Sequence, residues 1–305
     1  MKKVLLTGAT GFIGRHCLAP LAARGYEIHA VTAPGFPGAP AENTAWHEID
    51  LLGSGSAAGL IARVRPSHLL HMAWYAKPGA FWNAEENLDW TRASLELVLE
   101  FARKGGKRAT VAGTCAEYDW SFPRLVERET PLRPSSLYGT CKNSLRELAE
   151  AAAGKLGLSL SWGRIFLLYG PHEPPERLVA SVARALLAGQ PAPCTRGDQV
   201  RDFLHVTDVA GAFAALLDGG VEGAVNIASG DAVTVRKVVE TVGAAAGRPD
   251  LVRLGAIPTQ PNEPAEMRAD TRRLNDEVGW HPAFPLERGI GETVAWWKRR
   301  MAEAG

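Results

Sequence analysis

Thr7-Gly8-Ala9-Thr10-Gly11-Phe12-Ile13-Gly14 joins an apolar run, residues 3–7, to a helical pattern over 12–24. The glycines are spaced G-x-x-G-x-x-G. Glycine lets a turn take positive φ and lets a phosphate approach the backbone. The N–H groups at the start of the following helix then face an anion, helped by the helix dipole. Strand, loop and helix stand in the order that such a site needs. The stretch reads as a dinucleotide cradle, with Gly8, Thr10, Gly11, Phe12, Ile13 and Gly14 against the cofactor. The plainer alternative is an ordinary tight turn between strand and helix. An ATP-type loop is excluded, because Arg15 follows Gly14 where a G-K-[ST] ending is required.

Beyond the loop the first half keeps alternating. Strands are expected at 26–32, 45–49, 67–73, 107–113 and 158–168. Helices are expected at 57–65, 84–104 and 137–156, and the Pro- and Gly-rich stretch 33–41 reads as loop. Pro20 conflicts with the first helix, since an interior proline breaks one hydrogen bond. Strands apolar throughout and alternating with helices imply an α/β fold, a doubly wound parallel sheet covered on both faces. Such sheets bind ligands beyond the carboxyl ends of their strands. Chemistry is therefore expected just after Thr7, Thr32, Ala73, Gly113 and Leu168. The second half is less regular. Helices are expected at 176–189, 207–218, 235–247, 271–279 and 286–299, with a strand at 224–228. This reads as a smaller mixed α/β substrate-binding domain, 169–305, attached to a dinucleotide-binding domain, 1–168. Chain around 201–230 is expected to return to the first domain.

Length agrees with two domains: 305 residues at about 150 per domain. Thirty-four basic against 33 acidic residues leave a net charge of +1, which argues against a nucleic-acid partner. Cys17, Cys115, Cys141 and Cys194 are too dispersed for a disulfide framework or a structural zinc site. His68 and His71 sit at i and i+3 of a strand, on opposite faces, so no metal site is expected there. No signal peptide is visible, and no run approaches the ~18 apolar residues of a membrane span. The expectation is a soluble protein of a reducing cytoplasm, without a membrane partner. No G-x-S-x-G elbow supports a serine hydrolase.

NAD sites usually carry Asp or Glu at the end of the second strand, for the ribose 2′-OH. Here that stretch is Ala30-Val31-Thr32-Ala33-Pro34, without an acid, and Glu27 comes too early. The missing carboxylate favours NADP(H), with NAD(H) as the alternative. Arg15 is a candidate partner for the 2′-phosphate and equally a solvated helix residue. Asp50-Leu51, after strand three, can meet the adenine, or Asp50 can simply precede the helix. Tyr138-Gly139-Thr140-Cys141-Lys142 puts Tyr138 and Lys142 on one helix face. A phenol near pKa 10 exchanges protons poorly at neutral pH, and a neighbouring ammonium lowers that value. Thr114, after strand five, is positioned to hold the reacting oxygen beside Tyr138. Trp74-Tyr75-Ala76-Lys77-Pro78-Gly79-Ala80-Phe81-Trp82 follows strand four together with Ala73, at the ligand edge. Its aromatics suit stacking on a sugar or nicotinamide ring, or plain loop packing. Asn87 either touches cofactor or caps its helix.

With these residues the chain resembles the extended short-chain dehydrogenase/reductases, the NAD-dependent epimerase/dehydratase family, nearly end to end. The carriers are the glycine loop, Thr114 with Tyr118, Tyr138 and Lys142, Arg164-Ile165-Phe166 through Tyr169-Gly170-Pro171, and Arg201-Asp202-Phe203-Leu204-His205-Val206. Asn226-Ile227-Ala228-Ser229-Gly230 and Gly279-Trp280 also match. The resemblance implies a Rossmann sheet and a bound nicotinamide dinucleotide. It implies Tyr138 as acid/base, Lys142 on the ribose, Thr114 on the substrate hydroxyl, and a nucleotide-linked sugar as substrate. Arg201 is similar to the family's residue reaching the nucleotide diphosphate. A homodimer through the helices 84–104 and 137–156 is implied too. Two departures matter. The family's 4,6-dehydratases carry Thr-Asp-Glu where this chain has Thr114-Cys115-Ala116, which disfavours dehydration. The absent strand-two acid points away from epimerases with tightly held NAD. The expected activity is reduction of a keto group on a nucleotide-linked deoxy sugar with NADP(H); an NAD-dependent epimerase is the alternative, and a non-catalytic dinucleotide sensor a third reading.

Overall fold

The computed structural model describes residues 2–261 and 263–304. The first half runs β1 (Lys2–Thr7), α1 (Gly14–Ala22), β2 (Tyr26–Thr32), β3 (Thr44–Glu48), α2 (Ser56–Val64), β4 (His68–His71), α3 (Glu86–Arg103), β5 (Arg108–Thr114), β6 (Arg124–Leu125), α4 (Leu137–Leu156) and β7 (Ser159–Ile165). It continues with β8 (Leu167–Tyr169), α5 (Leu178–Leu187), β9 (Ala192–Pro193), β10 (Val200–His205), α6 (Val206–Asp218), β11 (Gly223–Ile227), β12 (Ala232–Thr234), α7 (Val235–Ala245), β13 (Val252–Arg253), β14 (Glu266–Ala269) and α8 (Leu286–Ala304).

Seven strands form one parallel sheet in the order β11-β7-β5-β4-β1-β2-β3. All seven residues of β5 are buried, as a central strand covered on both faces requires. One cover is α1 and α6, where Cys17, Leu21, Phe213 and Leu217 close over Val4, Leu6, Ile28 and Val225. The other is α2, α3 and α4, whose Leu60, Leu97, Phe101 and Leu145 meet Leu5, Leu69, Val111 and Trp162. The strand order reverses between β1 and β4. Thr7 pairs in register with His71, and Thr114 with Ile165, so these strand ends share one edge. A crevice at such a reversal is where parallel sheets take ligands.

A second sheet, β12-β10-β14-β6 with β8 on β10, carries α5, α7 and α8. The expected single strand 158–168 is two strands in two sheets. Ile165 closes β7, the Phe166 N–H donates to the Ile227 carbonyl at 3.1 Å, and Leu167 opens β8 against Phe203. Ile165 and Leu167 are apolar and half-buried, and Phe166 between them is buried, so hydrophobicity alone carries no mark of the break. Pro20 stays inside α1 because it falls in the last turn, where one lost bond does not stop the helix. A π-helical turn, Arg273–Glu277, stands within the expected helix 271–279. Among the described residues no helix is long and apolar enough to cross a membrane.

Candidate active site

The glycine loop explains its own spacing. Gly8 has φ +67°, and a β-carbon there would lie 2.8 Å from the Ala73 nitrogen. A β-carbon on Gly14 would overlap the Gly8 carbonyl oxygen. Both contacts are with backbone, which cannot swing away. The Gly11 N–H donates to the Gly8 carbonyl at 2.9 Å. The Thr7 hydroxyl accepts the N–H groups of Met72 and Ala73, each at 3.2 Å, and lies 2.7 Å from His71 Nδ1. The end of β4 is thus tied to the start of the loop. No side chain caps α1 and no acid stands in its first turn. The Arg15 and His16 N–H groups turn the chain into the helix by donating to the Gly11 and Ile13 carbonyls at 3.3 and 3.0 Å, and no carboxylate competes for the positive end of the helix dipole. A cradle that a β-carbon would fill, ending on an uncapped helix, fits a dinucleotide diphosphate.

Around the cradle the expected residues fall as follows. Thr10 and Thr32 hydroxyls are 3.2 Å apart, and Thr32 donates to the Phe36 carbonyl at 2.5 Å. Asp50 accepts the Leu52 N–H at 3.0 Å, and Leu51 is half-buried against the α2 side of the core. Arg15 folds back on its own loop: it donates to the Thr10 and Gly11 carbonyls and lies 2.7 Å from His172 Nδ1. Asn87 is buried with internal partners. It donates to the Phe81 and Ala84 carbonyls and accepts from Trp74 Nε1 at 2.8 Å, which fastens the loop after β4. Arg201 is buried in the second sheet, donating to the Val200 and Pro264 carbonyls and pairing with Glu263 at 2.9 Å. His71 and His68 have separate partners, Ser94 and Ser67, and no group of three or more metal-ligating side chains assembles among the described residues.

Thr114 ends β5, and Tyr138 and Lys142 lie on the first turns of α4, which Ser136 caps by accepting the Gly139 N–H at 3.1 Å. The Lys142 ammonium donates to the Ala112 carbonyl at 2.8 Å and sits 3.7 Å from the centre of the Trp74 ring. Its burial lowers its pKa to about 7. Aromatic rings wall Tyr138: Phe81 at 4.9 Å, Trp82 at 5.9 Å and Trp74 at 6.4 Å between centroids. The Tyr138 N–H donates to the Trp82 carbonyl at 2.9 Å, fixing this wall to the helix. The expected lowering of the phenol by Lys142 is not what the protein chain alone produces. Burial raises the Tyr138 pKa, with the Thr114 side chain pulling it down. The ammonium is engaged with a carbonyl and an indole, and burial has weakened its own hold on the proton.

Three residues escape the sequence reading. Glu117 is fully buried beside Thr114 and pairs with Arg164 at 2.7 Å. Thr114-x-x-Glu117 has the S/T-x-x-E form of a capping box, and that pattern was the available signal. Glu48, at the end of β3, accepts the Gly35 N–H at 2.9 Å and so brings a carboxylate to the loop after β2. Trp120 faces Trp82 edge-on at 6.0 Å and donates to the Cys115 carbonyl at 2.8 Å.

Residues 4–228 match the NAD dependent epimerase/dehydratase family. A dTDP-glucose 4,6-dehydratase of Xanthomonas campestris pv. campestris is 28% identical over 96% of this chain and 92% of its own. A dTDP-4-dehydro-6-deoxy-D-allose reductase of Streptomyces bikiniensis is 27% identical over 97% and 96%. Among solved structures, a UDP-glucose 4-epimerase of Thermus thermophilus in complex with NAD is 26% identical, superposes with a TM-score of 0.85, and covers 97% of this chain and 99% of its own. The glycine loop, Thr114, Tyr138 and Lys142 all lie within the matched residues: the chain belongs to the NAD dependent epimerase/dehydratase family and is an enzyme of the extended short-chain dehydrogenase/reductase type.

Proposed function

We propose that this enzyme reduces a keto group on a nucleotide-linked deoxy sugar, with NADP(H) as the preferred cofactor. The observation that carries the reading is the character of the side chains around Thr114. Cys115 and Ala116 are buried and uncharged, and the Glu117 carboxylate is engaged by Arg164. Elimination of water needs further acid/base groups, whereas reduction needs one proton donor beside a held oxygen. The nicotinamide supplies hydride when bound. Tyr138 supplies the proton to the carbonyl oxygen, and its raised pKa keeps that proton in place at neutral pH. The Thr114 hydroxyl accepts from the Ala116 N–H at 3.2 Å, leaving its own proton to hold the same oxygen. Gly8, Gly11 and Gly14 with the start of α1 would hold the diphosphate. Thr10, Phe12, Ile13, Thr32, Asp50, Leu51, Ala73, Trp74 and Asn87 would surround the rest, and Lys142 the nicotinamide ribose. Arg201, whose guanidinium is held by Glu263 and the Pro264 carbonyl, would have to give up that pair to reach a substrate diphosphate. Phe81, Trp82 and Trp120 offer faces to apolar sugar edges, which suits a deoxy sugar.

A second reading, an epimerase retaining NAD, has Glu48 in its favour: it brings a carboxylate to the loop after β2, where it would repel a 2′-phosphate if the adenosine ribose lay there. One experiment separates the two. Protein purified without added cofactor is denatured and released dinucleotide identified by mass spectrometry, and the native protein is titrated with NADPH and NADH. An empty protein that binds NADPH more tightly supports the reductase; near-stoichiometric NAD⁺ supports the epimerase. Tyr138→Phe is expected to lower NADPH-dependent reduction of a dTDP-4-keto-6-deoxy sugar by roughly 10²–10⁴-fold, with NADPH affinity within about twofold of wild type. Wild-type turnover in the variant would overturn the assignment of Tyr138.

A further inference from the structure

We propose that Glu117 is a positioning residue of this centre: its carboxylate grips the Thr114 N–H two residues from the carbonyl that Lys142 holds, and so fixes the strand end that carries Thr114 and anchors Lys142, touching neither substrate nor cofactor. The inference rests on Thr114, Tyr138 and Lys142 being the reacting groups. Both carboxylate oxygens of Glu117 are occupied. Oε1 accepts the Thr114 N–H and Trp162 Nε1–H, each at 2.8 Å, and Oε2 accepts Arg164 Nε–H at 2.7 Å. The strand end is therefore gripped from two sides. Lys142 holds the Ala112 carbonyl, and two residues on Glu117 holds the Thr114 N–H. Gly113 stands between them, and a β-carbon there would meet Trp162 and, at 2.7 Å, Glu117 Oε1.

Stability alone does not account for the ion pair, because buried pairs are often replaceable by apolar residues of equal volume without loss. The charges around the centre do account for it. Lys142 faces His71 from β4, which burial holds neutral with a pKa of about 3, and Glu117 from the turn after β5. Tyr138 faces Glu117, the Cys115 thiol, which burial raises to about 12, and Arg177 before α5. Glu117 faces Arg164, behind which stand Tyr118 and Glu127. Burial strips the charge from Lys142, and Glu117 opposes that loss. Removing its negative charge lowers the pKa of Lys142, since a negative neighbour favours the protonated form.

The test is a ¹³C NMR titration of the full chain labelled at lysine Cε, with Lys142→Arg identifying the resonance. The Lys142 midpoint is expected near 7 in the wild type. It should fall by about one pH unit in Glu117→Gln and stay in place in Glu117→Asp, which keeps the charge. The alkaline limb of NADPH oxidation should move the same way. A folded Glu117→Gln protein with an unmoved midpoint overturns the proposal. If that variant does not fold, Glu117→Gln with Arg164→Met leaves no unpaired guanidinium and carries the same expectation and the same refutation. An active Tyr138→Phe enzyme would instead sink the catalytic assignment while leaving the lysine midpoint intact.

Discussion

Glu173 follows β8, is almost wholly buried, and has an Oε2 atom with no hydrogen-bond partner among the described residues. Burial raises its pKa to about 8, with Arg177 pulling it back. The folded chain thus holds this proton more tightly than the unfolded chain, whose carboxyl titrates near the ordinary 4.5. The resulting stabilisation is complete below pH 4.5 and is lost as pH rises through about 8, at roughly 1.4 kcal/mol for each pH step of one between those two values. Lys142 runs the other way: its lowered pKa costs stability as pH falls from its ordinary 10.5 through about 7. Glu173→Gln removes the first slope and keeps the second. Between pH 5 and pH 9 the urea midpoint of the variant should rise, because only the Lys142 slope remains, and that of the wild type should fall relative to it. Parallel changes in the two proteins would overturn this account. Single residues are legible in a sequence when chemistry restricts the choice. Few side chains can exchange a proton as a tyrosine beside a lysine can, so the pair Tyr138 and Lys142 stands out in the sequence. Glu117 does not, because its partners Trp162 and Arg164 are more than forty positions away and only the fold assembles them.

The start of α1 is where glycine spacing becomes binding geometry. Gly14→Ala puts a methyl group into the Gly8 carbonyl, so the loop must open before the helix can present its N–H groups. The expected result is NADPH affinity lowered at least tenfold, about 1.4 kcal/mol, read by fluorescence titration. Affinity equal to wild type would show that the loop is not the cradle. Helices and long parallel strands are legible because burial on one or both faces imposes a period or a continuous apolar run. That is why β1, β2, β4 and β5 stand close to the expected 3–7, 26–32, 67–73 and 107–113. The two-residue strands Arg124–Leu125, Ala192–Pro193 and Val252–Arg253 are too short to have a period. Tertiary pairing alone creates them. The crossing at Phe166 is hidden for the opposite reason, since both sheets want apolar residues there.

For the molecule as a whole, α3 and α4 pack side by side and still expose Leu88 and Leu148, at 53% and 51%. Two copies are proposed to pair through this face. Sedimentation at micromolar concentration should give a dimer for the wild type and a monomer for Leu148→Glu. A monomeric wild type would remove the proposal. The link at Phe166 bears on how such an enzyme changes its substrate. Ile165 lies in register with Thr114 in the large sheet, and Leu167, two positions on, is already paired with Phe203 in the small one. A single residue couples the two, with no slack to absorb a displacement. Insertions that remodel recognition are therefore best tolerated far from this joint, out along α5 and α7. Drift at the joint itself would be transmitted undamped to the threonine, as play in a bearing reaches the shaft.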